Sequence, residues 1–172
     1  GEWIRKRSMP EQWSIRYQYK ELKLTFRLGL TSFGHIGVFP EQAANWNFIY
    51  DQLLNASSVT SQTSRVLNLF AYTGGSSLVA CSAGADVVHV DSVKPVISWA
   101  REIMTANGLD NIRWGVEDAM SFVRREVKRG HTYHGIIMDP PAYGRGPEGE
   151  KWVLGDSIDE LIRLSSQLLL KE

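Results

Sequence analysis

"RVLNLFAYTGGSSLVACSAGADVVHVD", residues 65–91, holds two short apolar runs separated by a glycine pair and a stretch of small residues. Neither run alternates apolar with polar side chains, so each reads as a strand covered on both faces. "GGSSLVACSAGA" between them reads as a short helix, and a strand, a helix and a strand in this space make a right-handed parallel βαβ unit. The pattern then repeats downstream. "SVKPVISWAREIMTANG" is a helix with Ser92 or Asp91 placed to cap it, Pro95 in its first turn and Gly108 past its end. "NIRWGV" is a third strand, "EDAMSFVRREVKRG" a helix closed by Gly130, "YHGIIMD" a fourth strand and "SIDELIRLSSQLLLKE" a final amphipathic helix. The expected fold class is α/β, a parallel sheet with helices on both faces.

Upstream the period changes. "WSIRYQYKELKLTFRLGL", residues 13–30, alternates over two runs around Lys20-Glu21, as a hairpin does. After a glycine-rich bend and Pro40, Ala43, Trp46, Ile49, Tyr50 and Leu53 fall at helical spacing, and "NASSVTSQTS", residues 55–64, reads as a polar linker. The chain therefore divides into a short β-rich segment over 1–40 and the α/β core over 41–172.

Composition narrows the class. With 172 residues, 43% apolar and 22% charged, the chain is sized for one globular domain with a core of its own. No apolar run approaches the roughly 20 residues of a membrane span, and no stretch reads as a signal peptide. Nineteen basic and nineteen acidic side chains cancel, although residues 1–30 carry seven Lys or Arg against three Glu and "RREVKRG" at 124–130 is a second basic cluster. A solvated face or a phosphate-backbone contact accounts for either cluster. The single cysteine, Cys81, excludes an internal disulfide and a cysteine zinc site, and points to a reducing cytoplasm.

In open α/β sheets ligands bind at the carboxyl ends of the strands, and four groups stand there. Gly74-Gly75 follows the first parallel strand, where backbone can approach a ligand and a helix N-terminus offers free N–H groups. Asp91 ends the second strand, 17 residues beyond Gly74, where a carboxylate accepts from ribose hydroxyls. Glu117-Asp118 follows the third and can accept from an exocyclic amine. Singly these are a tight turn, a helix cap and a first-turn charge; together they describe an adenosine site. "AYTGGSSLVA" lacks G-x-G-x-x-G and no Gly-Lys-Ser/Thr follows, which disfavours a dinucleotide and excludes a P-loop. The fourth strand ends in Asp139-Pro140-Pro141, a stiff exit that is neither helix nor ladder, followed by Ala142, Tyr143 and an irregular glycine-rich loop.

"VLNLFAYTGGSSL", "HVDSVKPVISWAREIMTANGL", "VEDAMSFV" and "IIMDPPAYGRG", in that order, resemble the successive motifs of class I S-adenosylmethionine-dependent methyltransferases. The match is nearest to the RNA methyltransferases that modify large-subunit ribosomal RNA at cytosine C5 or guanine N7. It covers residues 33–172 and implies a Rossmann-like core with S-adenosylmethionine as cofactor and RNA, ribosomal RNA first, as substrate. It further implies that Phe70, Ala71, Tyr72, Thr73 and Gly74 hold the methionine end, that Asp91 with Ser92 and Val93 holds the ribose, and that Asp118 with Ala119 holds the adenine. Asp139, Pro140, Pro141 and Tyr143 are implied as catalytic, meeting a base that stacks on Tyr143. "FGHIGVFPEQ" is similar to the segment that closes over the cofactor, with the family's Asp-Gln-Arg standing here as Glu41-Gln42-Ala43. The family continues with three more strands beyond this chain's last helix, so the chain is expected to be C-terminally truncated.

Methylation at C5 needs a thiolate that adds to the ring, and Cys81 lies among Leu78, Val79, Ala80 and Ala83 as a core residue. No C5 nucleophile is expected. His35, His89, His131 and His134 are scattered without metal-ligand spacing, and His89 falls inside a strand as a core position. The six tryptophans read as core and rim, with Trp3 and Trp13 the two placed to meet RNA. Two other readings stand beside the methyltransferase: a nucleotide-dependent oxidoreductase, and a non-catalytic module that binds an adenosine ligand or RNA.

Overall fold

The computed structural model describes every residue except 1, 2, 5, 32, 33, 61 and 172, so Phe33 at the head of "FGHIGVFPEQ" lies outside the described residues. Two strands, β1 (Gln12–Tyr19) and β2 (Leu22–Gly29), form an antiparallel hairpin that turns at Lys20 and Glu21 as the alternation predicts. A 3-10 turn over Pro40–Gln42 leads into α1 (Ala43–Thr60). The alternating core follows: β3 (Arg65–Leu69), α2 (Gly75–Ser82), β4 (Asp86–Asp91), α3 (Lys94–Ala106), β5 (Ile112–Val116), α4 (Ala119–Arg129) and β6 (Gly135–Met138). β3 to β6 make one parallel sheet in the order β5-β4-β3-β6. The chain steps outward from β3 to β5, then returns to the other side of β3, and this reversal opens a crevice at the strands' carboxyl ends.

Side chains of the sheet point alternately to two faces, and the core splits accordingly. Leu67, Leu69, Val88 and Val90 pack with Phe122 and Val123 of α4 and with Leu161 of α5 (Leu154–Ser165). Val66 and Val87 pack with Leu78 and Val79 of α2 and Ile103 of α3, and the hairpin lays Leu22, Leu24, Phe26 and Leu28 on that same cluster beside Trp46 and Tyr50. Leu67 and Leu69 are fully buried, a gain of about 1.5–3 kcal/mol for each side chain.

Several boundaries differ from expectation. α1 runs to Thr60, so the first part of the supposed linker is helical; its Asn and Ser residues are exposed, and there the propensity penalty is only about half a kcal/mol each. α3 starts from Val93 as its extended N-cap, with no side-chain cap from Ser92 or Asp91. The Asp91 carboxylate instead accepts the Val93 N–H at 2.9 Å. The last helix ends at Ser165; a 3-10 turn follows over Ser166–Leu168, and Leu169 forms a parallel bridge with Tyr133. The loop after β6 is not irregular throughout: β7 (Tyr143–Arg145) and β8 (Lys151–Val153) pair antiparallel, pinned where buried Trp152 donates its Nε1–H to the Pro141 carbonyl at 2.7 Å. A glycine-rich loop ordered by one buried aromatic leaves little trace in a sequence pattern.

Candidate active site

The crevice at the strand ends is a cleft of about 810 Å³. Phe70, Ala71, Tyr72 and Thr73 line it after β3, Asp91, Ser92 and Val93 after β4, Asp118 and Ala119 after β5, and Asp139, Pro140, Pro141 and Tyr143 after β6. Of the residues expected from the resemblance to hold the cofactor or meet the base, Gly74 is the one that does not line the cleft; it sits behind the turn as the N-cap of α2 with φ of 87°. A side chain there would be strained, and its Cβ would stand 3.3 Å from the His89 ring.

The turn after β3 is held in a costly shape. Phe70 and Tyr72 adopt φ of 53° and 50°, the left-handed region that non-glycine residues avoid at about 1–3 kcal/mol each. Three hydrogen bonds hold it there: the Ala71 N–H donates to the Val90 carbonyl at 3.1 Å, the Tyr72 N–H to Asp91 Oδ2 at 2.8 Å, and the Thr73 hydroxyl to the Gly37 carbonyl at 2.6 Å. Beneath it, Asn68 Nδ2 donates to Ser77 Oγ at 2.9 Å and Ser77 Oγ stands 3.0 Å from His89 Nδ1. Burial pushes His89 down to about 3, so the ring is neutral at physiological pH and belongs to the core, as its place in β4 suggests.

Asp91 is half-buried, and burial pushes its carboxyl up while the Val93, Tyr72 and Ser92 N–H groups pull it down. Val93 N–H on Oδ1 and Tyr72 N–H on Oδ2 are its close hydrogen bonds, and a carboxylate's four lone-pair sites leave capacity for a ligand hydroxyl. Asp118 is buried and caps α4, with Oδ2 accepting the Ser121 N–H at 2.9 Å; a carboxylate can cap and accept from an amine together. Its neighbour Glu117 is tied to Arg125 in an ion pair, which leaves Asp118 as the acceptor after β5. Val93 and Ala119 supply apolar surface beside these two acids, and Phe70 rests on Trp152 with ring centroids 4.8 Å apart.

On the opposite side Asp139 Oδ2 accepts from Gln42 Nε2 at 2.9 Å, and Gln42 Oε1 accepts from Asn45 Nδ2 at 2.7 Å. Gln42, Asn45 and Phe48 all line the cleft. Sequence reasoning placed Gln42 in the closing segment without a partner and missed Asn45 and Phe48, because the helical reading followed the apolar stripe. The available signal was their own three-residue spacing. Cys81 is buried in α2 away from the cleft, and burial raises its thiol, so it is not a nucleophile for a bound base. Trp3, which the sequence suggested for RNA contact, donates its Nε1–H to the Thr31 carbonyl at 2.7 Å. Among the described residues no group of three or more His, Cys, Asp or Glu is arranged to hold a metal, and no helix is long and apolar enough to cross a membrane.

The S-adenosylmethionine-dependent methyltransferase profile matches residues 2–171, nearly the whole chain. The chain belongs to this family. The crystal structure of the SAM-dependent methyltransferase from Agrobacterium tumefaciens superposes with a TM-score of 0.87 at 40% identity, covering 96% of this chain and 51% of that one. The structure of SMU.776 complexed with SAH superposes at 0.78 and 26% identity, covering 98% of this chain and 42% of that one. Ribosomal RNA large subunit methyltransferase I of Aeromonas salmonicida is 37% identical over 101 residues, 56% of this chain and 26% of that protein. The chain thus spans about a quarter of that relative and half of the Agrobacterium structure.

The chemistry of the cleft fits the family's cofactor. Among the described residues its lining carries four carboxylates, Asp91, Glu117, Asp118 and Asp139, of which Glu117 is paired with Arg125, against one lining guanidinium, Arg145. Such a lining suits a ligand bearing a sulfonium and an ammonium group and disfavours a pyrophosphate. Among the described residues the cleft thus offers carboxylate acceptors at two neighbouring strand ends and a single guanidinium.

Proposed function

We propose that this chain binds S-adenosylmethionine in the cleft and transfers its methyl group to a base of RNA, with large-subunit ribosomal RNA as the substrate class, in the cytoplasm. The observation that carries this is the pair of carboxylates, Asp91 and Asp118, standing at the ends of neighbouring strands in a cleft that holds one guanidinium. Asp91 accepts from the ribose hydroxyls, Asp118 accepts from the adenine amine, and Val93 and Ala119 cover the ring. Phe70 to Thr73, with Gly74 allowing the turn, pass their backbone around the methionine end. The cofactor supplies an electrophilic methyl group. What remains for the protein is to hold an acceptor atom about 3 Å from it and in line. Asp139 in its stiff exit accepts from the polar edge of the base, Pro140 and Pro141 keep that carboxylate in place, and Tyr143 stacks on the ring. The relatives named as ribosomal RNA methyltransferases support the substrate class.

The test is calorimetry with S-adenosylhomocysteine and with NAD, followed by transfer from methyl-labelled S-adenosylmethionine to ribosomal RNA. Binding of the first ligand alone and labelled RNA are expected. Tight NAD binding would favour the oxidoreductase, and cofactor binding without transfer to any RNA would favour the non-catalytic module.

A further inference from the structure

The wall of the cleft facing the strand ends comes from the 3-10 turn and the start of α1, where Gln42, Asn45 and Phe48 recur every three residues on one side. Asn45 donates to the Gln42 carbonyl oxygen, and this bond decides which way the amide faces: Nε2 is aimed at Asp139. One oxygen of Asp139 is thereby engaged and its rotation stopped, while the other still has lone pairs for an incoming donor. Farther along the same side stands Phe48, 64% exposed. Val59 and Ile162 are also exposed, at 83% and 52%, and neither borders the cleft. Phe48 does, and so does Tyr143, 76% exposed on β7. Two uncovered rings and a locked carboxylate bordering one cleft match a planar heteroaromatic ring with an N–H on its edge, which is the chemistry of a nucleobase removed from its stack.

We propose that Phe48 is a second base-contacting ring of the acceptor site, and that Gln42, oriented by Asn45, is a positioning residue for Asp139. The inference rests on the reading that the cleft takes a base as methyl acceptor, and it assigns to α1 a part in selecting that base. A merely structural Phe48 would be covering neighbouring side chains, and its loss would leave base binding unchanged.

Saturation-transfer NMR with S-adenosylhomocysteine present and the four nucleoside 5′-monophosphates as probes tests both halves. Base protons of at least one nucleotide are expected to saturate in the wild-type protein. Phe48→Ala should weaken that nucleotide at least fivefold and keep S-adenosylhomocysteine affinity within twofold, with Phe48→Tyr restoring binding. Gln42→Glu puts a second carboxylate beside Asp139, so two like charges share one place as pH rises. Because the probe phosphate itself titrates at about pH 6, affinity is compared with wild type at each pH, and that ratio should fall at least fivefold in Gln42→Glu from pH 5 to pH 7.5. Unchanged affinity in Phe48→Ala, or no base saturation in a wild-type protein that binds S-adenosylhomocysteine, overturns the assignment of Phe48. A ratio that stays flat with pH in Gln42→Glu overturns the role of Gln42. Failure of the wild type to bind S-adenosylhomocysteine sinks the underlying reading instead.

Discussion

The Tyr72 N–H donates to Asp91 Oδ2 at 2.8 Å, so the left-handed turn after β3 hangs from the residue assigned to the ribose. Removing the carboxylate therefore costs twice: a ligand hydroxyl loses its acceptor, and two backbone N–H groups lose theirs. Asp91→Ala is expected to weaken S-adenosylhomocysteine at least tenfold, about 1.4 kcal/mol, and to speed hydrogen exchange at Tyr72 and Val93. Asp91→Asn, which keeps an acceptor oxygen, should fall between. Calorimetry giving wild-type affinity for the alanine variant would remove Asp91 from the site.

Acidity should act on binding and folding with opposite signs. Burial raises the Asp91 carboxyl above its ordinary 3.8, so as pH falls through that raised value the group takes up a proton and loses acceptor capacity. Affinity for S-adenosylhomocysteine should decline by up to about tenfold per pH unit below that point, and Asp91→Asn should flatten the profile. For folding, a raised acid pKa favours the neutral form, so this group's contribution to stability is greatest at low pH and is lost as pH rises. Titrations of affinity and of melting temperature separate the two.

Tyr143 borders the cleft from β7 and is largely exposed. Tyr143→Ala should leave S-adenosylhomocysteine affinity within about threefold, roughly 0.7 kcal/mol, while methyl transfer to RNA falls much further. Parallel losses in both measurements would place the ring against the cofactor.

At the opposite end of the sheet, buried Glu126 accepts from the Tyr133 hydroxyl at 2.6 Å, with His131 Nδ1 at 2.9 Å. Burial, the largest single influence, raises the Glu126 carboxyl, but these two partners and the Arg125 charge together outweigh it and hold the group below its ordinary 4.5. A lowered acid pKa adds stability above that value that disappears as pH falls through the folded one. Tyr133→Phe leaves the carboxylate short of a donor and should cost about 1–3 kcal/mol at neutral pH. Thermal melts should show that difference shrinking towards pH 3.

The sheet, its strand ends and the order of the motifs were legible because buried parallel strands write continuous apolar runs and their exits write Gly, Asp and Pro. Asp91 and Asp118 were placed for the same reason. What sequence did not show depended on contacts between distant residues. Trp152 orders the loop after β6 by bonding to Pro141, and Gln42 reaches Asp139 across 97 positions. The true start of α3 at Val93 was hidden because Asp91, a good capping residue by type, is occupied by the backbone of Tyr72 and Val93.

The hairpin turns one strand's apolar side chains, Leu22 to Leu28, onto residues of α1 and α2 that come later in the chain. β2 is complete at Gly29, yet α2 is complete only at Ser82. During synthesis at about 5–20 residues per second, that greasy strip would wait about 3–10 s for its cover, and a lone two-stranded ribbon has little stability of its own in water. The hairpin therefore leaves the ribosome well before its cover and is among the later elements to settle. A chaperone binding the nascent chain would find its target in "LKLTFRL", well before any cofactor cleft exists.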